Sequence, residues 1–264
     1  MPQHIHSDDA EIFYDTHGEG LPLVLLHPFP SNHEFWNSTA PQLAARYRLV
    51  LPDLRCHGAS QPGNGPATMQ KHAADLLRIL DAEHIQRACF AGVSIGGYIL
   101  FEFWRQHRER VQALILSDTR AQADTEEGRQ TRLKAAEEVE RSGPDAYIEG
   151  MIPKLLGETI RRNRPDRVSE ARRMMDRMTG TGISFALRGM AARPDSIPTL
   201  RTINIPTLIM AGKEDTLTPV ADAELMHREI RGSELAAVPA AGHYMPFEQP
   251  EAAAQIMRGF LDKI

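Results

Sequence analysis

Cysteine is almost absent from this 264-residue sequence, with Cys56 and Cys89 the only two. Two thiols cannot build a disulfide framework, and their spacing lacks the C-x-x-C pattern of a redox or zinc site, so reduced thiols in a cytosol are expected. A basic excess is also missing. A net charge of -5, a pI near 6.1 and the lack of any run of five like charges offer nothing to attract phosphate backbones, and no nucleic-acid partner is expected. No apolar run approaches the roughly 20 residues that a membrane span needs. The opening MPQHIHSDDAEIFYD has neither the basic start nor the apolar core of a secretory leader. A soluble, cytoplasmic protein with no membrane partner is the resulting expectation. Internal repeats and low-complexity tracts are lacking as well.

What the chain does have is an alternation of short apolar, β-branched runs with helix-length amphipathic segments. That pattern predicts an α/β fold: a mostly parallel, doubly wound sheet with helices on both faces. Strands are expected at Glu11 to Tyr14, Leu23 to Leu26, Arg48 to Leu51, Ala88 to Val93, Ala113 to Ser117, Thr207 to Ala211 and Leu235 to Val238. Helices are expected at Phe35 to Ala45, Thr68 to Asp81, Gly96 to His107, Val220 to Ile230 and Pro250 to Leu261. The alternation stops near Asp118 and resumes after Asn204-Ile205-Pro206; between them lies a charged, Arg- and Glu-rich stretch with helical spacing and no convincing strand. The expected organisation is a core domain made of 1–119 and 196–264, interrupted by a helical insertion at 120–195.

Within CFAGVSIGGY the pattern Gly92-x-Ser94-x-Gly96 falls between an apolar strand and a helix. As a bare pattern it arises by chance in roughly one chain of this length in ten, given usual Gly and Ser frequencies. Its position is more telling, because a sharp strand-to-helix turn lifts the serine above the sheet as an exposed nucleophile. The bland alternative is a serine that caps the helix while the glycines close a turn. A serine hydroxyl is a weak nucleophile near neutral pH, so it needs a base and an acid to orient that base, and in strand–turn–helix elbows these follow in the order serine, acid, histidine. PTLIMAGKEDTLTP carries one apolar run into Asp215, and LAAVPAAGHYMPFEQP carries another into His243. Both lie just past strand ends, where open α/β sheets bind ligands. Asp118 and then Glu214 are competing acids, and His27 and His57 competing bases, although both histidines precede the serine and read as loop-bonding residues. Cys56 reads as a packed loop thiol.

LLHPFPS sets Phe29 between two prolines, so residues 28 to 30 can offer one backbone donor only, the N–H of Phe29. That lone donor falls at the end of an apolar run that reads as a buried strand.

LVLLHPFPSNHEFW, LVLPDLRCHGAS, AGVSIGGYILFEFWRQHRERVQALILSDT, PTLIMAGKEDTLTP and AAGHYMPFEQPEAAAQIMRGFL resemble, in order, the signature blocks of the α/β-hydrolase superfamily. The chain is most similar to its small bacterial esterase, 3-oxoadipate enol-lactonase and cofactor-free haloperoxidase branch. The resemblance implies the α/β-hydrolase fold, Ser94 as nucleophile, His243 as base, Asp215 as orienting acid, and the backbone N–H groups of Phe29 and Ile95 as oxyanion donors. It also implies a helical cap over an apolar pocket that includes Trp36 and Met151. No cofactor and no metal are implied. The expected activity is hydrolysis of small carboxylic esters through an acyl-enzyme, with lactone opening or peroxide-dependent acyl transfer using the same residues, and with carbon–carbon hydrolysis or mere ligand binding as remoter readings. Relatives usually carry glycine where this chain has Pro28 and Cys56. Arg129, Arg132, Arg161, Arg162 and Arg164 are expected to face water rather than a substrate carboxylate. The oligomeric state is left open.

Overall fold

The computed structural model describes all 264 residues. Its centre is one eight-stranded sheet: β1 (Gln3–Ser7), β2 (Ala10–His17), β3 (Leu21–Leu26), β4 (Tyr47–Pro52), β5 (Ala88–Val93), β6 (Val111–Ser117), β7 (Thr207–Gly212) and β8 (Glu234–Val238). The strand order is β1-β2-β4-β3-β5-β6-β7-β8. β1 and β2 pair antiparallel and β2 joins β4 antiparallel, whereas every pair from β4/β3 to β7/β8 is parallel. The middle strands are buried along their whole length, which is why β5 and β7 read as unbroken apolar runs without alternation.

Helices α1 (Ala40–Ala44), α2 (Met69–Ala82) and α3 (Ile95–His107) connect the strands up to β6. Between β6 and β7 come α4 (Glu126–Ser142), α5 (Asp145–Leu155), α6 (Glu158–Asn163), α7 (Pro165–Met175) and α8 (Gly180–Ala191), with no strand among them, followed by the short α9 (Ile197–Leu200). The chain finishes with α10 (Val220–Glu229), β8, α11 (Met245–Glu248) and α12 (Pro250–Leu261). Three of these helices begin on a threonine whose hydroxyl accepts an N–H of the first turn: Thr68 for α2, Thr125 for α4 and Thr179 for α8.

The expected strands all fall inside observed ones. β1 was not anticipated, since in QHIHS only Ile5 is apolar, and it is held from outside its own pattern: Ser7 donates to Asp75 on α2 at 2.6 Å. The expected single helix from Phe35 to Ala45 is two pieces, a 3-10 turn at His33–Trp36 and α1. Asn32 caps the turn by accepting the Glu34 N–H, and Pro41, which has no N–H to give, prevents helical continuity through Asn37.

Candidate active site

The turn between β5 and α3 explains the glycines around Ser94. Ser94 has φ 54° and ψ −113°, a backbone state that costs a non-glycine residue roughly 1–3 kcal/mol and survives only where neighbours impose it. They do so closely: a Cβ on Gly92 would come within 2.6 Å of the Gly96 carbonyl carbon. Thr119, just beyond β6, packs against Gly97 and donates its hydroxyl to the Ser94 carbonyl at 2.7 Å. The Ser94 side chain makes no capping hydrogen bond to α3, so the helix-cap reading of this serine is set aside. Its hydroxyl instead borders a cavity of about 500 Å³ that is also lined by His243, Phe29, Tyr98, Tyr147 and Met151.

His243 stands in the loop after β8 and Asp215 in the loop after β7. The Asp215 carboxylate is met by the His243 ring through Nδ1 at 2.8 Å. It also accepts from the Leu217 N–H at 2.8 Å, the Thr218 N–H at 3.0 Å and the Thr218 hydroxyl at 2.5 Å. Burial alone would raise the pKa of Asp215, but the His243 partner and these donors more than offset it and hold the carboxyl below its ordinary range. An ionised Asp215 accepting at Nδ1 fixes the proton on that nitrogen. Nε2 is thereby left with its lone pair, and His243 borders the same cavity as Ser94. Thr218, which sequence reasoning passed over, shares both partners, since its hydroxyl lies 3.2 Å from His243 Nδ1. Its signal was present in DTLT, where an Asp side chain can accept backbone N–H groups a few residues on and so draw Thr218 beside it.

The competing residues are otherwise engaged. Asp118 accepts from the Gly212 N–H at 2.7 Å and from the Ser117 hydroxyl at 2.6 Å, and no bond joins it to His243. Burial, reinforced by the negative charge of Asp215, pushes the Asp118 carboxyl well above the usual range. Glu214 turns the other way and accepts the N–H and hydroxyl of Thr159 in the inserted segment. His27 accepts the Leu54 N–H at Nε2, which puts its proton on Nδ1, where it donates to the Pro28 carbonyl at 2.9 Å. Burial, then the neighbouring His57, lowers the pKa of His27 to about 3, and burial lowers that of His57 to about 4, so both remain neutral loop supports. Cys56 is buried, its thiol pushed up to about 12 by desolvation, and it sits at φ 76°, which accounts for the glycine preferred there by similar sequences.

The Pro28 carbonyl also accepts the Ser31 N–H at 3.1 Å, closing the loop over Phe29. The Phe29 N–H, unlike that of Ser31, has no acceptor in the protein. The Ile95 N–H, at the first position of α3, has no intrahelical acceptor by the geometry of a helix start.

Trp36 lies elsewhere. It is buried in the 3-10 turn, edge-to-face with Phe35 at 5.1 Å, and is not among the residues that line the cavity. The reason is the break at Pro41: the 3-10 turn packs against β4, α7 and α11 instead of extending over the sheet edge as one helix. Of the arginines expected to face water, Arg129, Arg161, Arg162 and Arg164 do so, whereas Arg132 on α4 borders the cavity.

Glu248, missed in the sequence, joins these loops. Its buried carboxylate accepts the N–H groups of Gly242 at 3.0 Å and Tyr244 at 3.1 Å, the two residues flanking His243, and that of Gly157 at 2.9 Å from the inserted segment. The backbones approach so closely here that a Cβ on Gly157 would stand 2.7 Å from the Gly242 nitrogen. Burial pushes the Glu248 carboxyl up to about 7 although three amides favour its ionised form.

The alpha/beta hydrolase family model matches residues 23–256. A thermophilic esterase from Thermogutta terrifontis, solved with malate bound, is 36% identical, superposes with a TM-score of 0.96, and is matched over 100% of this chain and 98% of its own. A putative carbamate hydrolase, RutD, from Azorhizobium caulinodans is 29% identical, covering 100% of this chain and 99% of the relative. The 3-oxoadipate enol-lactonase 1 of Acinetobacter baylyi is 28% identical across 92% of this chain and 89% of its own length. With its elbow, its sheet and these relatives in agreement, the chain belongs to the alpha/beta hydrolase family, in the branch of esterases and enol-lactonases.

Proposed function

We propose that the protein is a serine carboxylesterase in which Ser94, His243 and Asp215 cleave small carboxylic esters through an acyl-enzyme. Ser94 Oγ attacks the ester carbonyl carbon while His243 Nε2 accepts the hydroxyl proton. The carbonyl electrons move onto oxygen, where the amides of Phe29 and Ile95 donate to the oxyanion. Collapse breaks the carbon–oxygen bond to the alcohol, which leaves with the proton from His243. Water then gives a proton to His243 and attacks the acyl-serine; the acid departs and Ser94 recovers its proton. Asp215 remains ionised throughout and stabilises the imidazolium formed in each half-reaction.

The observation that supports this reading most is the Asp215–His243 contact at 2.8 Å beside a strained, uncapped serine on the same cavity. Strain at a serine between a strand and a helix is what a nucleophile raised above the sheet requires. In this reading the segment 120–195 acts as a cap, with Met151 among the apolar walls. The test is hydrolysis of p-nitrophenyl acetate and butyrate by the parent and by Ser94→Ala. Comparable rates in the two proteins would refute the mechanism. The similarity to an enol-lactonase favours lactones, which are cyclic esters, as a second substrate type, distinguished by running γ- and δ-lactones beside the linear esters.

A further inference from the structure

The roof of the cavity carries a cation whose hydrogen-bonding capacity is largely unused. Arg132 on α4 gives its Nε–H to Asp124 at 2.6 Å, and its Nη1 reaches only the Met190 sulfur, a weak acceptor, at 3.7 Å. No oxygen accepts from either terminal nitrogen. A guanidinium has five N–H groups in a planar fork suited to grip a carboxylate with two parallel bonds. Asp124 does not neutralise the site either, because Arg193 shares it at 2.8 Å. Arg193 is 4% exposed and stacked over Tyr98, and Arg132 is 27% exposed on the cavity side. Two guanidinium groups thus share one carboxylate beside a cavity that also reaches Ser94 and His243, and the other acid of the lining, the exposed Glu127, pairs with neither of them. The other cations lining it differ: Arg120 is within 3.4 Å of Asp222, and Lys154 lies exposed.

We propose that Arg132 binds a carboxylate on the substrate, so that the preferred esters or lactones carry a second, free acid group, as in a monoester of a short dicarboxylic acid. The inference rests on the esterase reading above and adds the substrate class to it. The remote anion completes the Arg132–Asp124–Arg193 cluster, and the scissile carbonyl is held toward Ser94 by a contact that a neutral ester of equal length cannot make.

The test uses p-nitrophenyl butyrate and mono-p-nitrophenyl succinate, equal in chain length and differing in charge. The readout is the ratio of kcat/KM for the charged ester to that for the neutral one. In Arg132→Gln this ratio falls by about tenfold, the usual scale of a charge-assisted pair of bonds, and in Arg132→Lys, which keeps the charge and loses the fork, it falls less. A change below threefold in Arg132→Gln overturns the proposal, as does a parent that turns over the butyrate and refuses the succinate. If Arg132→Gln does not fold, Arg132→Lys supplies the ratio. Calorimetric titration with succinate reads the same site without turnover: binding to the parent that weakens about tenfold in Arg132→Gln supports it, and absent or unaltered binding overturns it. Ser94→Ala hydrolysing both esters at parental rates would instead sink the esterase reading and leave the titration to decide the anion site.

Discussion

At the scale of single residues, the arrangement assigns unequal losses to the members of the site. Asp215→Asn keeps the shape of the acid but reverses a donor and an acceptor, so the His243 proton is no longer held at Nδ1; kcat for p-nitrophenyl butyrate is expected to drop by about 10³- to 10⁴-fold with KM little altered. Thr218→Val removes one of four donors to Asp215 while keeping the side-chain volume, so its kcat loss should be about tenfold, a hierarchy that steady-state kinetics on the two variants checks. An equal loss in both would mean that Thr218 does more than support the acid. Ser94, His243 and Asp215 could be picked out from the sequence as candidates because each follows an apolar run that reads as a strand, and strand ends in this kind of sheet converge. Trp36 could not be placed that way. Its position depends on a helix break set by Pro41 and by the Asn32 cap, and amphipathic spacing alone carries no such information.

At the scale of elements, the inserted segment is fastened to the loops bearing Asp215 and His243. Gly157→Ala pushes a methyl group against the Gly242 nitrogen and the Glu248 carboxylate, so a loss of about 1–3 kcal/mol in stability is expected, with reduced kcat, from urea unfolding followed beside activity. Glu248 adds a pH dependence. Its folded pKa, about 7, lies above that of an unfolded glutamate, so the native state binds the extra proton, and stability from this group is full below the ordinary carboxylate range and is lost as pH rises through 7. The melting temperature of the parent minus that of Glu248→Gln should therefore shrink steadily from pH 5 to pH 8, and a difference that grows instead would contradict the assignment. Helix boundaries were readable wherever the signal was local, as with Thr68 before α2. The ties made by Glu248 and Glu214 were not, because they join residues 91 and 55 positions apart.

At the scale of the molecule, one hydrophobic cluster of 73 buried residues runs from the sheet into the inserted helices, taking in Phe90 and Ile115 at the centre and Ala136, Ile148, Met174 and Leu187 above it. Because this apolar cluster is continuous across the two parts, they should unfold together. Differential scanning calorimetry is expected to give a single transition with calorimetric and van't Hoff enthalpies in agreement, whereas an earlier, separate melting of 120–195 would show the cluster to be divided. The α/β class was legible from the alternation of apolar runs, and its parallel centre from their lack of periodicity; the course of the helices between β6 and β7 was not, because charged amphipathic helices specify which face is buried without specifying against what. The attachment at Leu155–Thr159 carries a consequence for how such a molecule can diversify. Leu155 accepts from the Tyr244 N–H, Gly157 donates to Glu248 and Thr159 to Glu214, so that short stretch shares its footing with the loops that hold His243 and Asp215. Changes there should alter reactivity and selectivity together, while α4, whose side-chain bonds to other helices go to α8 and not to those loops, is free to be rewritten for new substrates without retuning the chemistry.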